Sequence, residues 1–190
     1  SSQYRMNKDG DNYWITLDGL EAGKEYAYQY YVDGEVKIAD PYTEKVLDPW
    51  NDKWIEEDTY PNLKPYPAGK TTGIVSTFQT DQEEYVWQND FTAHDVEDLV
   101  IYELLLRDFI EAHDWKTLTD TLNYFSELGV NAIELMPFNE FEGNESWGYN
   151  SSFYFAPDKY YGPEEDLKAF IDSCHGRDIA VIMDIVLNHS

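Results

Sequence analysis

Two groups of residues in the chain have the types and spacing for chemistry. The first closes the segment Ala180-Val181-Ile182-Met183-Asp184-Ile185-Val186-Leu187-Asn188-His189. Asp184 stands inside an apolar run that reads as a buried strand, and Asn188 and His189 follow at its exit. A carboxylate among apolar neighbours is costly to desolvate unless a cation or a hydrogen-bond donor meets it. Two roles are open to Asp184: a structural ion pair, or an acid that orients a catalytic cation. Asn188 and His189 are expected to touch a ligand. The second group is Asn144-Glu145-Ser146-Trp147-Gly148-Tyr149-Asn150, within a connection running from about Phe138 to Tyr161. Connections of that length are uncommon and often functional. Gly148 permits close backbone approach, so Trp147 and Tyr149 can face one cleft; the alternative is a lid packed by its own rings.

These residues need elements to hold them, and the second half of the chain supplies a β-α-β-α-β pattern from about Asp98. Leu99 to Leu106 reads as a strand. Leu118, Leu122, Phe125 and Leu128 recur at helical spacing, and Gly129 ends that helix in the left-handed position. Asn131 to Pro137 reads as a second strand. Gly162-Pro163-Glu164-Glu165 opens a second helix, with proline in the first turn and acids at the positive end of the dipole. Its buried stripe is Leu167, Phe170, Ile171 and Cys174, and Gly176 stops it. Cys174 is expected to be a small core residue. Alternating strands and helices imply a parallel sheet, either an open doubly wound sheet or a closed (β/α)8 barrel. The turn after the first strand, Arg107-Asp108-Phe109-Ile110, lacks the glycines of a nucleotide-binding sheet, which favours the barrel. A site would then lie at the carboxyl ends of the strands.

Residues 1 to about 90 read as β. Asn12 to Leu17 and Glu25 to Val32 are predicted strands, the latter with Tyr26, Tyr28 and Tyr30 on one face. Asp33-Gly34 makes a hairpin turn, Glu35 to Ala39 returns, and Gly73 to Phe78 is a last strand. Four strands are fewer than the roughly seven of an immunoglobulin-like sandwich, so further strands are expected upstream. Thr80 to Val96 is polar and acidic and reads as a linker.

The formal charge of −25 argues against nucleic acid and anionic membrane as partners, since both require positive fields. Aromatic residues make up 16% of the chain. That richness fits either a β-rich core or a surface that stacks on the apolar faces of sugar rings. A single cysteine excludes an internal disulfide, and four histidines without ligand spacing give no zinc signature. No apolar run approaches a membrane span, and with no signal-like segment at Ser1 any export signal is expected to be absent or already removed.

Asp184-Ile185-Val186-Leu187-Asn188-His189 resembles the first conserved region of the α-amylase family of glycoside hydrolases (family 13). Gly129-Val130-Asn131-Ala132-Ile133-Glu134-Leu135-Met136-Pro137 resembles that family's second barrel strand, and Val100-Ile101-Tyr102-Glu103-Leu104 with Arg107-Asp108-Phe109 its first. Trp147-Gly148-Tyr149-Asn150, followed by Phe155-Ala156-Pro157 and Tyr161-Gly162, resembles its substrate-facing loop. Val32-Asp33-Gly34 through Ala39-Asp40-Pro41-Tyr42 resembles the β-sandwich module that often precedes the barrel. The implied fold is the start of a (β/α)8 TIM barrel preceded by part of an immunoglobulin-like β-sandwich: residues 1–80 the partial, carbohydrate-binding-like module, 81–97 the linker, and 98–190 the N-terminal part of the barrel.

The resemblance also implies roles. Tyr149 would stack on the sugar bound just before the cleaved bond, with Trp147 beside it on the same loop, and His189 would hydrogen-bond that sugar's hydroxyls. Asp184 would hold the arginine that precedes the nucleophile. Asn188 would match a calcium ligand in members that bind calcium there; no other cofactor is implied. The implied substrates are α-1,4-glucans such as starch, glycogen and maltooligosaccharides, cleaved with retention. Debranching or branching of α-glucans and non-catalytic glucan binding are the alternatives, and export to the medium, periplasm or cell surface is the implied location. The family's nucleophile, acid–base and third carboxylate motifs are not among these 190 residues. The chain is therefore expected to need the remainder of its barrel and to be inactive alone. Release of reducing sugar from starch by these residues would refute that.

Overall fold

The computed structural model describes residues 4–188. Among them, the N-terminal part carries β1 (Asn7–Asp9), β2 (Asn12–Trp14), β3 (Glu25–Tyr28), β4 (Tyr30–Val32), β5 (Val36–Ile38), β6 (Val46–Leu47) and β7 (Val75–Gln79). They form one three-stranded antiparallel sheet, β3-β7-β6, and two ribbons, β1-β2 and β4-β5. The ribbons are exposed along most of their length, so the described strands do not add up to two facing sheets.

The strand predicted over residues 25–32 is broken at Gln29. Its side-chain amide donates to the carbonyls of Thr72 and Ile74 at 3.0 and 2.7 Å, and β3 and β4 on either side pair with different partners. The tyrosine face survives the break. Tyr26 and Tyr28 both lie against Phe78, Tyr28 touches Tyr30, and the hydroxyls of Tyr28 and Tyr30 both donate to Asp40 at 2.8 Å. Asp33 and Gly34 have φ of 53° and 75°, and Glu35 N–H donates to Val32 C=O at 3.0 Å. That is the mirror-image turn expected of a hairpin.

The C-terminal part contains β8 (Ile101–Leu104), α1 (Leu106–Phe109), α2 (Trp115–Asp120), α3 (Leu122–Leu128), β9 (Ala132–Leu135), β10 (Asn139–Phe141), β11 (Ser151–Pro157), α4 (Glu164–His175) and β12 (Ala180–Met183). β8, β9 and β12 form a parallel sheet in sequential order. Leu104, Ile133 and Leu135 of the strands share one core with Trp115, Leu118, Leu122 and Phe125 and with Leu167, Phe170 and Cys174. Both helical connections therefore cover the same face of the sheet. A doubly wound sheet has helices on both faces, whereas a barrel keeps them outside; the arrangement is a barrel sector.

Several expectations need correction. The predicted first helix is two: Asp114 caps α2 by accepting from Thr117 N–H at 2.6 Å, and Thr121 stands between α2 and α3. Of the residues recurring at helical spacing, Leu118, Leu122 and Phe125 are buried and Leu128 is exposed. Gly129 does close α3 with φ of 77°. The connection 138–161 is no irregular loop but mostly the antiparallel hairpin β10-β11. The closing strand ends at Met183, and its residues are half-buried or exposed. Asp184 thus lies beyond the strand rather than inside it.

Residues 81–97 form a strap bound to α4. The buried Asp172 carboxylate accepts from the backbone N–H of Gln88 and Asn89, both at 2.9 Å, from the Asn89 amide at 3.0 Å and from the Tyr85 hydroxyl at 3.2 Å. Burial pushes this carboxyl up, but the donors outweigh it and hold it below the usual range. Trp87 and Phe91 pack on His175. Cys174 is buried, and burial raises its thiol to about 12, as befits an inert core residue.

Candidate active site at the carboxyl edge of the parallel sheet

Parallel strands present their carboxyl ends on one edge, and the segments leaving β9 and β12 meet there. β9 leads into the β10-β11 hairpin, whose tip carries Trp147, Gly148 and Tyr149; β12 leads into Asp184. The tip is tied by short-range bonds. Ser146 donates its hydroxyl to Asn150 and accepts from Gly148 N–H at 3.0 Å, while Ser151 donates to Gly148 C=O at 3.2 Å. Gly148 has φ of 89°, and a Cβ there would lie 1.9 Å from the Pro137 carbonyl oxygen. No side chain fits, so the tip packs directly on the chain leaving β9. Close approach, inferred from the sequence, is what places Tyr149.

The Tyr149 hydroxyl donates to Asp184 Oδ2 at 2.6 Å. This bond, then partial burial, then the charge of Asp184 push the phenol up to about 12, with Glu103 and Glu134 adding to the shift. Glu103 and Glu134 are register partners on β8 and β9. Side chains alternate along a strand, so these two and Asp184 project from the face opposite the helices, which in a barrel is the interior. Tyr149 is 37% exposed and Trp147 62%. The phenol ring therefore stands over an acidic interior face with solvent access, and Trp147 is presented to solvent on the same tip.

Tyr149 and Asp184 are thus brought together, and Trp147 is adjacent. Asn188 lies in an exposed turn, and His189 falls outside the described residues. Calcium takes six to eight oxygen ligands, and the described residues contain no cluster of three or more acidic, histidine or cysteine side chains able to hold a metal. Asn188 could offer one oxygen, and these residues do not make a calcium cage.

Sequence reasoning missed two features. The pair Glu103 and Glu134 has a faint signal: each precedes a leucine near the end of its strand, Ile-Tyr-Glu-Leu and Ala-Ile-Glu-Leu. The other is a buried ionic cluster behind the hairpin. Lys159 pairs with Glu140 and, at 3.2 Å, with Asp52, and Asp158 accepts from the backbone N–H of Phe141 and Tyr160 at 3.1 and 2.8 Å. Burial alone would lower the Lys159 ammonium, but Glu140, Asp52 and Asp158 raise it; burial also pushes all three carboxyls up. This cluster locks the hairpin base to the N-terminal part, as does the bond from Asn144 to Asn51 C=O at 3.1 Å.

Residues 68–190 match the model of the α-amylase catalytic domain. The chain belongs to the α-amylase family. Over 98% of its length it is 31% identical to the malto-oligosyltrehalose trehalohydrolase of Saccharolobus solfataricus, of which it spans 29%. It is 30% identical to the 1,4-α-glucan branching enzyme of Bacillus subtilis, again over 98% of the chain and 29% of that protein. Among solved structures, a putative α-amylase from Salmonella typhimurium superposes on 96% of the chain and 27% of its own with a TM-score of 0.73 and 29% identity. The chain thus spans less than a third of these α-amylase-family relatives. None of its described helices is long and apolar enough to cross a membrane.

Proposed function

We propose that this protein is a retaining glycoside hydrolase acting on α-1,4-glucans, and that the described residues form its sugar-contacting half-site. The observation that carries this reading is the Tyr149–Asp184 pair at the carboxyl edge of a barrel sector. A half-exposed aromatic ring fixed by an anion offers a flat face to a pyranose. Trp147 extends that surface, and His189 supplies hydrogen bonds to the sugar. Asp184 Oδ2 is engaged by Tyr149, which leaves Oδ1 for the arginine that would precede the nucleophile. Glu103 and Glu134 keep the interior beneath the ring anionic, which suits a neutral substrate passing toward positive charge at the anomeric carbon. The related trehalohydrolase and branching enzyme carry names that refer to α-glucan chemistry, which supports the substrate class.

In this reading residues 1–80 are the end of a sandwich module, 81–97 its connection and 98–190 the first third of the catalytic barrel. The two reacting carboxylates come from elsewhere in the barrel, so the 190 residues alone release no reducing sugar from starch. In the same reading the protein acts in the medium, the periplasm or at the cell surface, since polymeric starch cannot enter a cell. Retention is tested by proton NMR of the anomeric centre during hydrolysis of a maltooligosaccharide by the full-length protein. The α-anomer is expected first; the β-anomer first would contradict the proposal.

A further inference from the structure

The hairpin that carries Tyr149 is held by residues distant from it in sequence. Its own ladder fixes it poorly. The register pairs Asn139 with Pro157, Glu140 with Phe153 and Phe141 with Ser151, and it shifts between each pair and the next. Such irregularities bend a ribbon and re-aim what it carries, so the ladder alone does not set where the tip stands. Two adjacent residues of the N-terminal part supply further ties. Asn51 C=O accepts from the Asn144 side-chain amide at 3.1 Å, on the stretch leading from β10 to the tip. Asp52 Oδ1 meets Lys159 Nζ at 3.2 Å, just past the end of β11. The hairpin is thus gripped on both sides of its tip.

The grip is built in advance. Asp52 opens a single 3-10 turn, Asp52–Trp54. The buried Asp48 carboxylate accepts from Trp50 N–H at 2.7 Å and from the Asn51 amide at 2.8 Å. Asp48 N–H donates to Asp52 Oδ2 at 2.8 Å, which orients the Asp52 carboxylate and leaves Oδ1 for Lys159. Charge balance does not call for this pair. Glu140 already neutralises Lys159, and Asp158 is satisfied by two backbone N–H groups. Desolvation pushes the Asp52 carboxyl up, and the Lys159 charge only partly offsets it. A third carboxylate therefore adds cost to a buried site. What such a pair can supply in return is one fixed geometry, and the geometry it fixes here is that of the hairpin.

We infer that Asp52 is a positioning residue for the reaction: through Lys159, and with Asn51 through Asn144, it holds the hairpin where the Tyr149 ring stands at the rim. The tip is then held from two directions, by Pro137 against Gly148 on the barrel side and by residues 51–52 on the other. The Tyr149 hydroxyl meets Asp184 at 2.6 Å. Drift of the tip by about 1 Å would break that bond, and a misplacement of that size can cost about 10²-fold in rate. The role in the reaction rests on the function proposed above; the hold on the tip does not.

The test is a double-mutant cycle in the full-length protein, read as kcat/KM on a short maltooligosaccharide, together with amide hydrogen exchange of residues 144–150. Asp52→Asn keeps the size of the side chain and removes its charge. It is expected to lower kcat/KM about tenfold and to speed exchange at 144–150 about tenfold, while β8, β9 and β12 exchange at the parental rate. In a Tyr149→Ala background the same substitution should cost less than about twofold, because the ring it places is gone. Asn144→Ala cuts the second tie without touching the buried charges. It should speed exchange at the tip in the same way, and it serves as the test if Asp52→Asn does not fold. A folded Asp52→Asn or Asn144→Ala protein with parental exchange at 144–150 overturns the assignment. So do effects of Asp52→Asn and Tyr149→Ala that multiply in full, since a merely structural role acts independently of the ring. Failure of the function proposed above reads differently: Tyr149→Ala then keeps the parental kcat/KM, which removes the role in the reaction, while Asp52→Asn still speeds exchange at the tip.

Discussion

The Tyr149 hydroxyl and the Asp184 carboxylate make a charge-assisted hydrogen bond at 2.6 Å, shorter than neutral pairs. The phenol is pushed up to about 12 chiefly because it donates to an anion. Ionisation would break the bond and set two negative charges side by side. The contribution is therefore present below the ordinary tyrosine value and is lost as pH rises through about 12. Asp184→Asn removes the charge, and the Tyr149 pKa should fall back toward the usual value of about 10. Tyrosinate absorbance during alkaline titration, with Tyr149→Phe to identify the signal, measures this. An unchanged late-ionising tyrosine in Asp184→Asn would show that burial rather than Asp184 raises it. A polar partner for Asp184 follows from elementary desolvation reasoning on the sequence. That the partner is a tyrosine from the hairpin tip does not, because the two residues are joined only by tertiary structure.

At the scale of elements, the hairpin β10-β11 sets the site. Its tip requires Gly148 twice over, for the left-handed φ and for the 1.9 Å separation between a Cβ and the Pro137 carbonyl. Gly148→Ala must move either the tip or the chain leaving β9, and a destabilisation of about 3 kcal/mol or more is expected. Denaturant unfolding of the variant checks it, and a change under about 1 kcal/mol would mean that the tip relaxes freely. Residue types reveal the stop at Gly129 and the start of α4, since Gly129 and the proline and acids around Glu164 act locally, but not the break between α2 and α3. The β10-β11 register is illegible in the same way. Its pairing slips between Asn139 and Phe141, and its base is fixed by the buried Lys159 cluster, whose member Asp52 comes from the N-terminal part. Periodicity carries no trace of a contact over that separation. The break at Gln29 has the same origin: residues 71–74 draw its side chain away.

For the whole molecule, sequential parallel strands with both helical connections on one face distinguish a barrel sector from a doubly wound sheet, a choice that strand–helix alternation alone leaves open. The open face of that sector carries Glu103, Glu134 and Asp184, and Tyr149 stands at its rim. The buried ionic cluster ties Asp52 of the N-terminal part to this sector, and the strap holds to α4. The central claim is that the rim formed by Tyr149 and Asp184 receives an α-glucan. Its most direct test is kcat/KM of the full-length protein on a short maltooligosaccharide for the parent, Tyr149→Phe and Tyr149→Ala. With loss of the stacking face, Tyr149→Ala should fall by about 10²-fold, equivalent to about 2.7 kcal/mol of transition-state stabilisation, while Tyr149→Phe, which keeps the ring, retains most of the activity. A folded Tyr149→Ala protein within twofold of the parent would contradict the account.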